Sequence, residues 1–553
     1  MKGTRFFPTG IQQHRRDMLR KRRIITVRRS GAIGDALAAT CLANSLAELD
    51  CSVNFQCNPV IAPVLRRHPG LFRLSAPVSV PDINLDGAYE NHPQRTTLHF
   101  ATIFTEVANQ QLRRMGLQIP RAINFAPRLH SDQSLKGKLF RQLTQHPKPW
   151  VMICPRSNSW LGRTVPDGIW TQAARGILGT CFWLGTAAAP DGAVDLNCRD
   201  LHWLCEYLAC SDLLVSVDTG PAHIAIAFGT PTIVIGQSSD PALHFSDQRD
   251  WVAIYPPLDC LNCQLNTCPI DPNHPPCQNI SPKLIADAVN DRLSHKFNGG
   301  IYGDGCVSAI IPVYKPVIEK LNRSLACVLP QVEQVIVVGD MDTQWPIQGV
   351  PDDAKIKYIR KPTFQSGYGG NCNFAVRHSR GDFLLFLNDD CYLNPDCVEI
   401  LKREMKEDVA IVTHLLRYPN GLIQYSGKFR PRGAKGFGHF DHNGQQCRYS
   451  APVEQESACG ASMLVRREAF YQADAYSESY RLYSEDDHLA MAVRQNGWKI
   501  MFTPHAVGIH DEHTSSSTIP GWETIVAESN RIFAKHWGWY FDKNKNPNII
   551  GSF

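Results

Sequence analysis

The chain has 553 residues, room for three or four domains at about 100–200 residues each, with 43% hydrophobic and 20% charged residues and a mean hydropathy of −0.24. That composition excludes a wholly disordered, collagen-like or fibrous protein. The net charge of +5 is uneven, because residues 1–29 hold ten Lys/Arg against Asp17 alone and so form a basic N-terminal arm, delimited here as 1–23.

The arm lacks the apolar core of a secretory signal and reads as mature chain, either solubilising or docking to phosphates or an anionic surface. The longest apolar stretches, Ala222–Gly236 and Ala309–Tyr314, are short or interrupted, below the ~18–20 residues of a membrane span, so no transmembrane helix is predicted. Nineteen cysteines, an odd number scattered mostly singly, favour a reducing compartment. The cytoplasm is the expected location, with a peripheral contact at the inner face of the membrane left open.

Residues 24–28 read as a buried strand, followed by a turn through Gly31 and Gly34 and a helix over Ala36–Glu48; a second strand follows at Val53–Gln56. A fresh set begins at Trp150–Cys154 and continues through Cys181–Leu184, Leu213–Val217 and Thr232–Ile235. Strands alternating with helices predict an α/β fold of two Rossmann-like, doubly wound lobes, 24–140 and 141–295, with ligands at the carboxyl ends of the strands. Gly-rich residues 296–305 read as a linker. A further α/β domain, 306–513, is predicted from strands Val307–Ile311, Val335–Val338 and Lys357–Ile359, a helix at Asn371–His378 and strand Phe383–Leu387 before an acidic turn. In the tail, 514–553, Trp522, Ile525, Val526, Ile532, Phe533 and Trp537 recur at helical spacing and read as packing.

Asp218-Thr219-Gly220-Pro221 closes the strand Leu213–Val217 and opens a helix, so free backbone N–H groups face the crevice where a diphosphate fits; Thr219 can donate to it and His223 lies one turn on. Cys260, Cys263, Cys268 and Cys277 are the one clustered thiol set, read either as a structural Zn²⁺ site or as free thiols. Three segments, RRSGAIGDALAAT (28–40), CPRSNSWLGRTVPDGIW (154–170) and LACSDLLVSVDTGPAHIAIAFGTPTIVIG (208–236), resemble the lipopolysaccharide heptosyltransferase family, glycosyltransferase family nine, of GT-B fold. The resemblance implies that Asp35 is the base toward the acceptor hydroxyl, on the N-terminal lobe. It implies further that Arg163, where the family carries a Lys, faces the donor phosphates with Asp218, Thr219, Gly220 and His223. Where the family often has a ribose-holding Glu, this chain reads Gly185-Thr186-Ala187.

In the second half, VSAIIPVYK (307–315), GGNCNFAVRHSRGDFLLFLNDDC (369–391), ACGASMLVRREAF (458–470), LYSEDDHLAMAVRQNGWKI (482–500) and PHAVGIHDEH (504–513) resemble family-two transferases of GT-A fold, in particular the rhamnosyltransferase-like branch. Asp389 and Asp390 end a strand as hard oxygen ligands suited to Mg²⁺ or Mn²⁺ across a sugar-nucleotide diphosphate. The resemblance adds His510 to the metal shell, makes Asp486, with Glu485 beside it, the base toward the acceptor, and places Pro312, Tyr314, Asp340 and Asn373 on the nucleotide side. The segment from Lys428 through Arg430, Arg432 and Lys435 to His439 interleaves cations with Phe and Gly. It reads as a lid, a seat for a polyanionic acceptor, or a solvated loop.

These features predict a tandem inverting glycosyltransferase that uses nucleotide-sugar donors on a phosphorylated or surface glycan such as lipopolysaccharide core. Two alternatives stand beside it: transfer to hydroxymethylated bases of DNA, and a single active GT-A half served by a non-catalytic GT-B half.

Overall fold

The computed structural model describes residues 23–541 apart from positions 78, 120–126, 158–159, 186–187, 197, 199, 259, 298–304, 362–366, 432–435, 513–518 and 520. Most of the basic arm, together with Arg432 and Lys435, lies outside the described residues. The chain divides into two compact units, Met1–Ser246 with Asp250–Asn290, and Asp247–Arg249 with Asp291–Phe553. The division falls within the helix Pro282–Phe297, ahead of most of the Gly-rich stretch 296–305.

The first unit holds two parallel sheets. One runs Leu71–Ser75, Cys51–Gln56, Arg23–Arg28, Ile83–Asn84. The other runs Trp251–Ile254, Thr232–Ile235, Leu213–Val217, Trp150–Cys154, Thr180–Trp183, Ala193–Asp195. Trp150–Cys154 and Leu213–Val217 are buried at every residue, as strands covered on both faces are, which is why their sequences are apolar apart from Ser216, whose hydroxyl donates to the Val217 carbonyl at 2.7 Å. In each sheet the winding reverses at one point, between Arg23–Arg28 and Ile83–Asn84 in the first and between Trp150–Cys154 and Leu213–Val217 in the second. Two doubly wound lobes of this kind make up a GT-B fold. The single helix expected over Ala36–Glu48 is two, Ile33–Ala39 and Cys41–Glu48, because the Thr40 hydroxyl turns back to donate to the Leu37 carbonyl at 2.6 Å.

The second unit is built on one mixed sheet. Ile356–Arg360, Gln334–Gly339, Val307–Pro312 and Phe383–Leu387 are parallel. Ser462–Arg466 then pairs antiparallel with Phe383–Leu387 and with Val409–Arg417, and the sheet continues through Lys499–His510 to Cys391–Leu393. This is the GT-A layout. The winding reverses between Val307–Pro312 and Phe383–Leu387, so Pro312-Val313-Tyr314 and Asn388-Asp389-Asp390 emerge side by side.

Behind the sheet lies the helix Glu485–Gln495, and the C-terminal helix Trp522–Phe541 packs Ile532, Phe533 and Trp537 with Tyr480 and Met491. The Trp537 indole donates to His488 Nδ1 at 3.0 Å, and Arg494 donates to the Tyr540 hydroxyl at 2.9 Å. The tail is a packed element, as its spacing predicts. Among the described residues no helix is long and apolar enough to cross a membrane.

Asn373 corrects one expectation. It is fully buried, its amide N–H donates to the Tyr476 carbonyl at 2.9 Å, and its amide oxygen accepts the Tyr476 N–H at 3.0 Å. Both ends of the side chain are consumed in clamping that backbone, so it does not reach a nucleotide. Asn373→Ala leaves the buried Tyr476 N–H without its partner, while the Tyr476 carbonyl keeps the Gln248 amide at 2.8 Å, and is expected to destabilise the second unit by about 1–3 kcal/mol, read from thermal or urea unfolding, with donor affinity retained. Lost affinity at unchanged stability would return Asn373 to the nucleotide side.

Candidate functional site

In the first unit the winding reversals gather the expected residues. Where Arg23–Arg28 and Ile83–Asn84 end, Arg29 is buried and donates to Asp35 at 3.0 Å, to Glu90 at 2.7 and 3.2 Å and to the Leu85 carbonyl at 2.9 Å. Gly31 leaves room for this carboxylate, since a Cβ there would lie 2.9 Å from Asp35 Oδ2. Burial pushes the Asp35 carboxyl up, Arg29 opposes this and Glu90 adds to it. A proton acceptor poised above the ordinary carboxylate range suits the role expected of Asp35.

At the second reversal, Asp218 is 1% exposed. Its Oδ2 accepts from Ser239 Oγ at 2.5 Å and pairs with His244 Nδ1 at 2.7 Å, while Arg163 lies 3.6 Å away and also donates to the Asp218 carbonyl at 3.3 Å. Burial works to raise Asp218, but His244, Arg163 and His223 outweigh it and hold the carboxyl well below the usual range. Asp218 thus anchors Ser239, His244 and Arg163 at the second reversal. Arg163 also stacks on Trp160, 3.7 Å from the ring centroid. Thr219 precedes the helix Gly220–Phe228 with no side-chain capping bond, so its hydroxyl is not spent on its own helix.

His223 is buried and pushed down to about 4 by desolvation, so it stands neutral beside Asp218. A Cβ on Gly34 would lie 2.6 Å from His223 Cδ2, so this glycine lets the turn bearing Asp35 meet the donor-side helix. Tyr89, Ser239 and His244 were not foreseen. Ser239 and His244 follow the mouth of the strand Thr232–Ile235, which was the available signal; Tyr89 reaches His244 Nε2 at 3.2 Å from the other lobe.

In the cysteine set, burial and then the nearby Cys263, Cys268 and Cys260 push the Cys277 thiol up to about 11. Cys260 and Cys263 are exposed and Cys277 is buried, and among the described residues no three His, Cys, Asp or Glu side chains are grouped to hold a metal ion. This loop braces the segment bearing Arg163, with Cys277 Sγ donating to the Gly162 carbonyl at 3.5 Å and Gln278 to that of Leu161 at 2.8 Å.

In the second unit the antiparallel register pairs Cys391 with His510 and so brings His510 beside Asp390, 3.2 Å from Nε2 to Oδ1. His510 Nδ1 lies 2.8 Å from Gln424 Oε1, which can only accept, so Nδ1 donates there, while Nε2 stands 3.2 Å from both Asp390 Oδ1 and the Asn388 side-chain amide. Burial, reinforced by Asp390, pushes Asp389 up to about 7. An imidazole nitrogen beside a crowded carboxylate pair fits a divalent cation whose remaining positions belong to water and diphosphate oxygens.

The base candidates open the helix Glu485–Gln495. Asp486 Oδ2 accepts the Gly460 N–H at 2.9 Å and Oδ1 accepts the Asp487 N–H at 2.8 Å. Burial opposes the charge on Asp486, but Lys428 and these backbone donors hold it below the ordinary range. Glu485 is buried with Oε2 unbonded, and desolvation together with Asp486 pushes it up to about 8. Asp486 is thus the ionised member and Glu485 the neutral one. The two centres adjoin: Gly460 N–H serves Asp486, and the next residue, Ala461, accepts the Asn388 N–H at 2.9 Å.

Three further expectations change. Lys428 is 6% exposed and Arg430 forks onto Glu456 over the Tyr540 ring, so neither forms an open acceptor seat. The Asp340 carboxylate accepts the Asp342 N–H at 3.0 Å and is 4% exposed, which spends it on its own turn. Pro312 and Tyr314 remain half-buried at the strand mouth, with the Lys315 ammonium 5.2 Å from the Tyr314 ring.

Comparison with known proteins agrees with these two halves. Residues 308–472 match Glycosyl transferase family 2 and residues 198–273 match Glycosyltransferase family 9 (heptosyltransferase). The O-antigen biosynthesis protein RfbC of Myxococcus xanthus is 26% identical over 153 residues, 26% of this chain and 12% of that protein. The N-acetylglucosaminyl-diphospho-decaprenol L-rhamnosyltransferase of Mycobacterium tuberculosis is 32% identical over 84 residues, 15% of this chain and 27% of that protein. The chain therefore spans well under a third of either relative. Among solved structures, the family 9 glycosyltransferase of Veillonella parvula is similar with a TM-score of 0.38 at 14% identity, over 50% of this chain and 99% of that one. GalNAc-T7 with UDP, GalNAc and Mn²⁺ is similar with a TM-score of 0.35 at 12% identity, over 44% of this chain and 51% of that one.

The raised Glu485 makes a pH-dependent prediction. A carboxyl whose folded value lies above its unfolded ~4.3 contributes stability that is full below the unfolded value and is lost as pH rises through the folded one, here about 8. Glu485→Gln lacks this loss, so its melting temperature is expected to gain on that of the wild type as pH climbs from about 5 to 8, by at most ~1.4 kcal/mol per pH unit. A constant difference across that range would mean that Glu485 is ionised throughout.

Proposed function

We propose that the chain is a tandem glycosyltransferase with a donor site in each unit, both working by direct, inverting displacement on a cell-envelope polysaccharide or its precursor. The carrying observation is the adjacency in the second unit, where consecutive residues Gly460 and Ala461 bond to Asp486 and to the Asn388-Asp389-Asp390 turn respectively. A diphosphate leaving group and a proton-accepting carboxylate belong on either side of one reacting carbon.

Asp486 takes the proton of the acceptor hydroxyl, whose oxygen attacks the anomeric carbon as the bond to the nucleoside diphosphate breaks. Asp390 and His510 would hold Mg²⁺ or Mn²⁺, which supplies charge neutralisation on the departing diphosphate. Pro312 and Tyr314 border the nucleotide side. In the first unit Asp35 plays the corresponding basic part, while Arg163, Thr219 and the N-terminus of the helix Gly220–Phe228 receive the phosphates without a metal. The surface-glycan acceptor is supported by the O-antigen and decaprenol-linked relatives.

Thermal shifts of the full chain against UDP-, GDP-, ADP-, CMP- and TDP-linked sugars, with and without Mn²⁺, test both sites. A ligand at 100 times its dissociation constant stabilises by ~2.7 kcal/mol. Two responses are expected, one Mn²⁺-dependent and lost in Asp390→Ala, the other Mn²⁺-independent and lost in Arg163→Ala. A single Mn²⁺-dependent response would reduce the first unit to a binding lobe. Asp486→Asn is expected to keep the Mn²⁺-dependent shift while lowering transfer about 10²–10⁴-fold; unchanged transfer would remove Asp486 from the chemistry.

A further inference from the structure

Lys428 lies where the chain leaves Gly427, whose φ of +106° is one that residues with a Cβ rarely adopt, and enters the two-residue strand Lys428–Phe429. Its ammonium is 3.3 Å from Asp486 Oδ2 and 2.6 Å from Asp487 Oδ1, at a side-chain exposure of 5%. Ser457 donates to the same Asp487 oxygen, which fixes that partner independently. A lysine with a flexible four-carbon stem gains nothing from such burial unless its charge is needed, because desolvating an ammonium costs several kcal/mol before any pairing.

The need is visible in the surrounding charges. The helix start contributes Glu485, Asp486 and Asp487; the segment before it contributes the Cys459 thiol, the small strand Gly438–His439 contributes His439, and Tyr425 and Tyr368 close the remaining sides. Lys428 is the one cation among these groups. His439 is pushed down to about 4 by burial and stays neutral, and Glu485 is neutral below about 8. Lys428 and backbone donors hold Asp486 below the ordinary range while burial and Asp486 push Asp487 up, so one ammonium serves a strained pair.

We propose that Lys428 is a positioning residue for Asp486, acting as the counter-charge that keeps this carboxylate aimed past Gly460 and free to accept the acceptor proton. The inference rests on the reading of the second unit as a metal-dependent transferase. Lys428 touches neither donor nor acceptor; it acts through Asp486. Without it, Asp486 loses the largest of the groups that favour its charge and keeps only its backbone donors, so burial raises its proton affinity and fills the base at pH values where the wild type is active.

The test uses the full chain with Mn²⁺ and a panel of UDP-, GDP- and TDP-linked sugars, following nucleoside diphosphate release from about pH 5 to 9. Lys428→Gln keeps hydrogen-bonding capacity without the charge. It is expected to bring into the measured range an acidic limb that the wild type, its base held below the ordinary carboxylate range, does not show there, a loss of about twofold or more at pH 5 that closes toward pH 9, while Lys428→Arg stays close to the wild-type profile. If Lys428→Gln folds poorly, Asp487→Asn alone leaves Asp486 as the ammonium's one carboxylate partner and is expected to leave the profile flat down to pH 5, whereas an acidic limb appearing in that variant overturns the counter-charge role. A loss that is uniform across pH, or a Lys428→Gln profile without an acidic limb, overturns the positioning role while the transferase reading stands. Wild-type release that is indifferent to Mn²⁺ and to Asp390→Ala overturns the transferase reading and this inference with it.

Discussion

Parallel strands joined by right-handed crossovers can fill only one side of a starting strand at a time, so a sheet that grows both ways must reverse its winding once. At that reversal neighbouring loops diverge and leave a crevice at the carboxyl ends of two strands. The described part of this protein has three such places. Arg29, Asp35 and Glu90 stand at the first, Arg163 and Asp218 at the second, and Tyr314 with Asp389 and Asp390 at the third. Chemistry collects there because backbone geometry leaves polar groups facing an opening that no helix covers.

Each crevice then manages buried charge in its own way. Asp35 shares a buried guanidinium with Glu90, so its charge is tempered from one side and opposed from the other. Asp218 is overwhelmed by positive and hydrogen-bonding neighbours and becomes a fixed anion on which the phosphate-facing cation can lean. Asp389 and Asp390 are left undercompensated, the state in which a divalent ion is most welcome. The same residue type is thus raised in one crevice, lowered in another and crowded by its own kind in the third, according to what surrounds it.

These strands were legible because burial on both faces turns them into short, nearly continuous apolar runs ended by Pro155, Asp218, Gly236 and Asn388; Trp150–Cys154, Leu213–Val217, Thr232–Ile235 and Phe383–Leu387 carry the bounds expected of them. Val409–Arg417 escaped because a fully buried run containing Leu, Thr and His has neither helical nor alternating period. His510 was legible as a motif, but its meeting with Asp390 depends on the register of a late antiparallel strand. Lys428 misled because a cation among Phe and Gly resembles a solvated loop, while the carboxylate that buries it lies 58 residues away along the chain. Asn373 misled for the opposite reason: a polar side chain within a matching motif was satisfied by backbone 103 residues distant.

The matched family-two region stops at residue 472, yet the carboxylates of the helix Glu485–Gln495, the late His510 and the helix Trp522–Phe541 all come after it. The last of these covers Tyr480 and Met491, which belong to the loop and helix that carry Asp486. A portable version of the second unit therefore cannot be cut at the family border. Excision short of Phe541 would strip an aromatic cover from the back of the base-bearing helix and loosen its aim even with every reacting side chain retained.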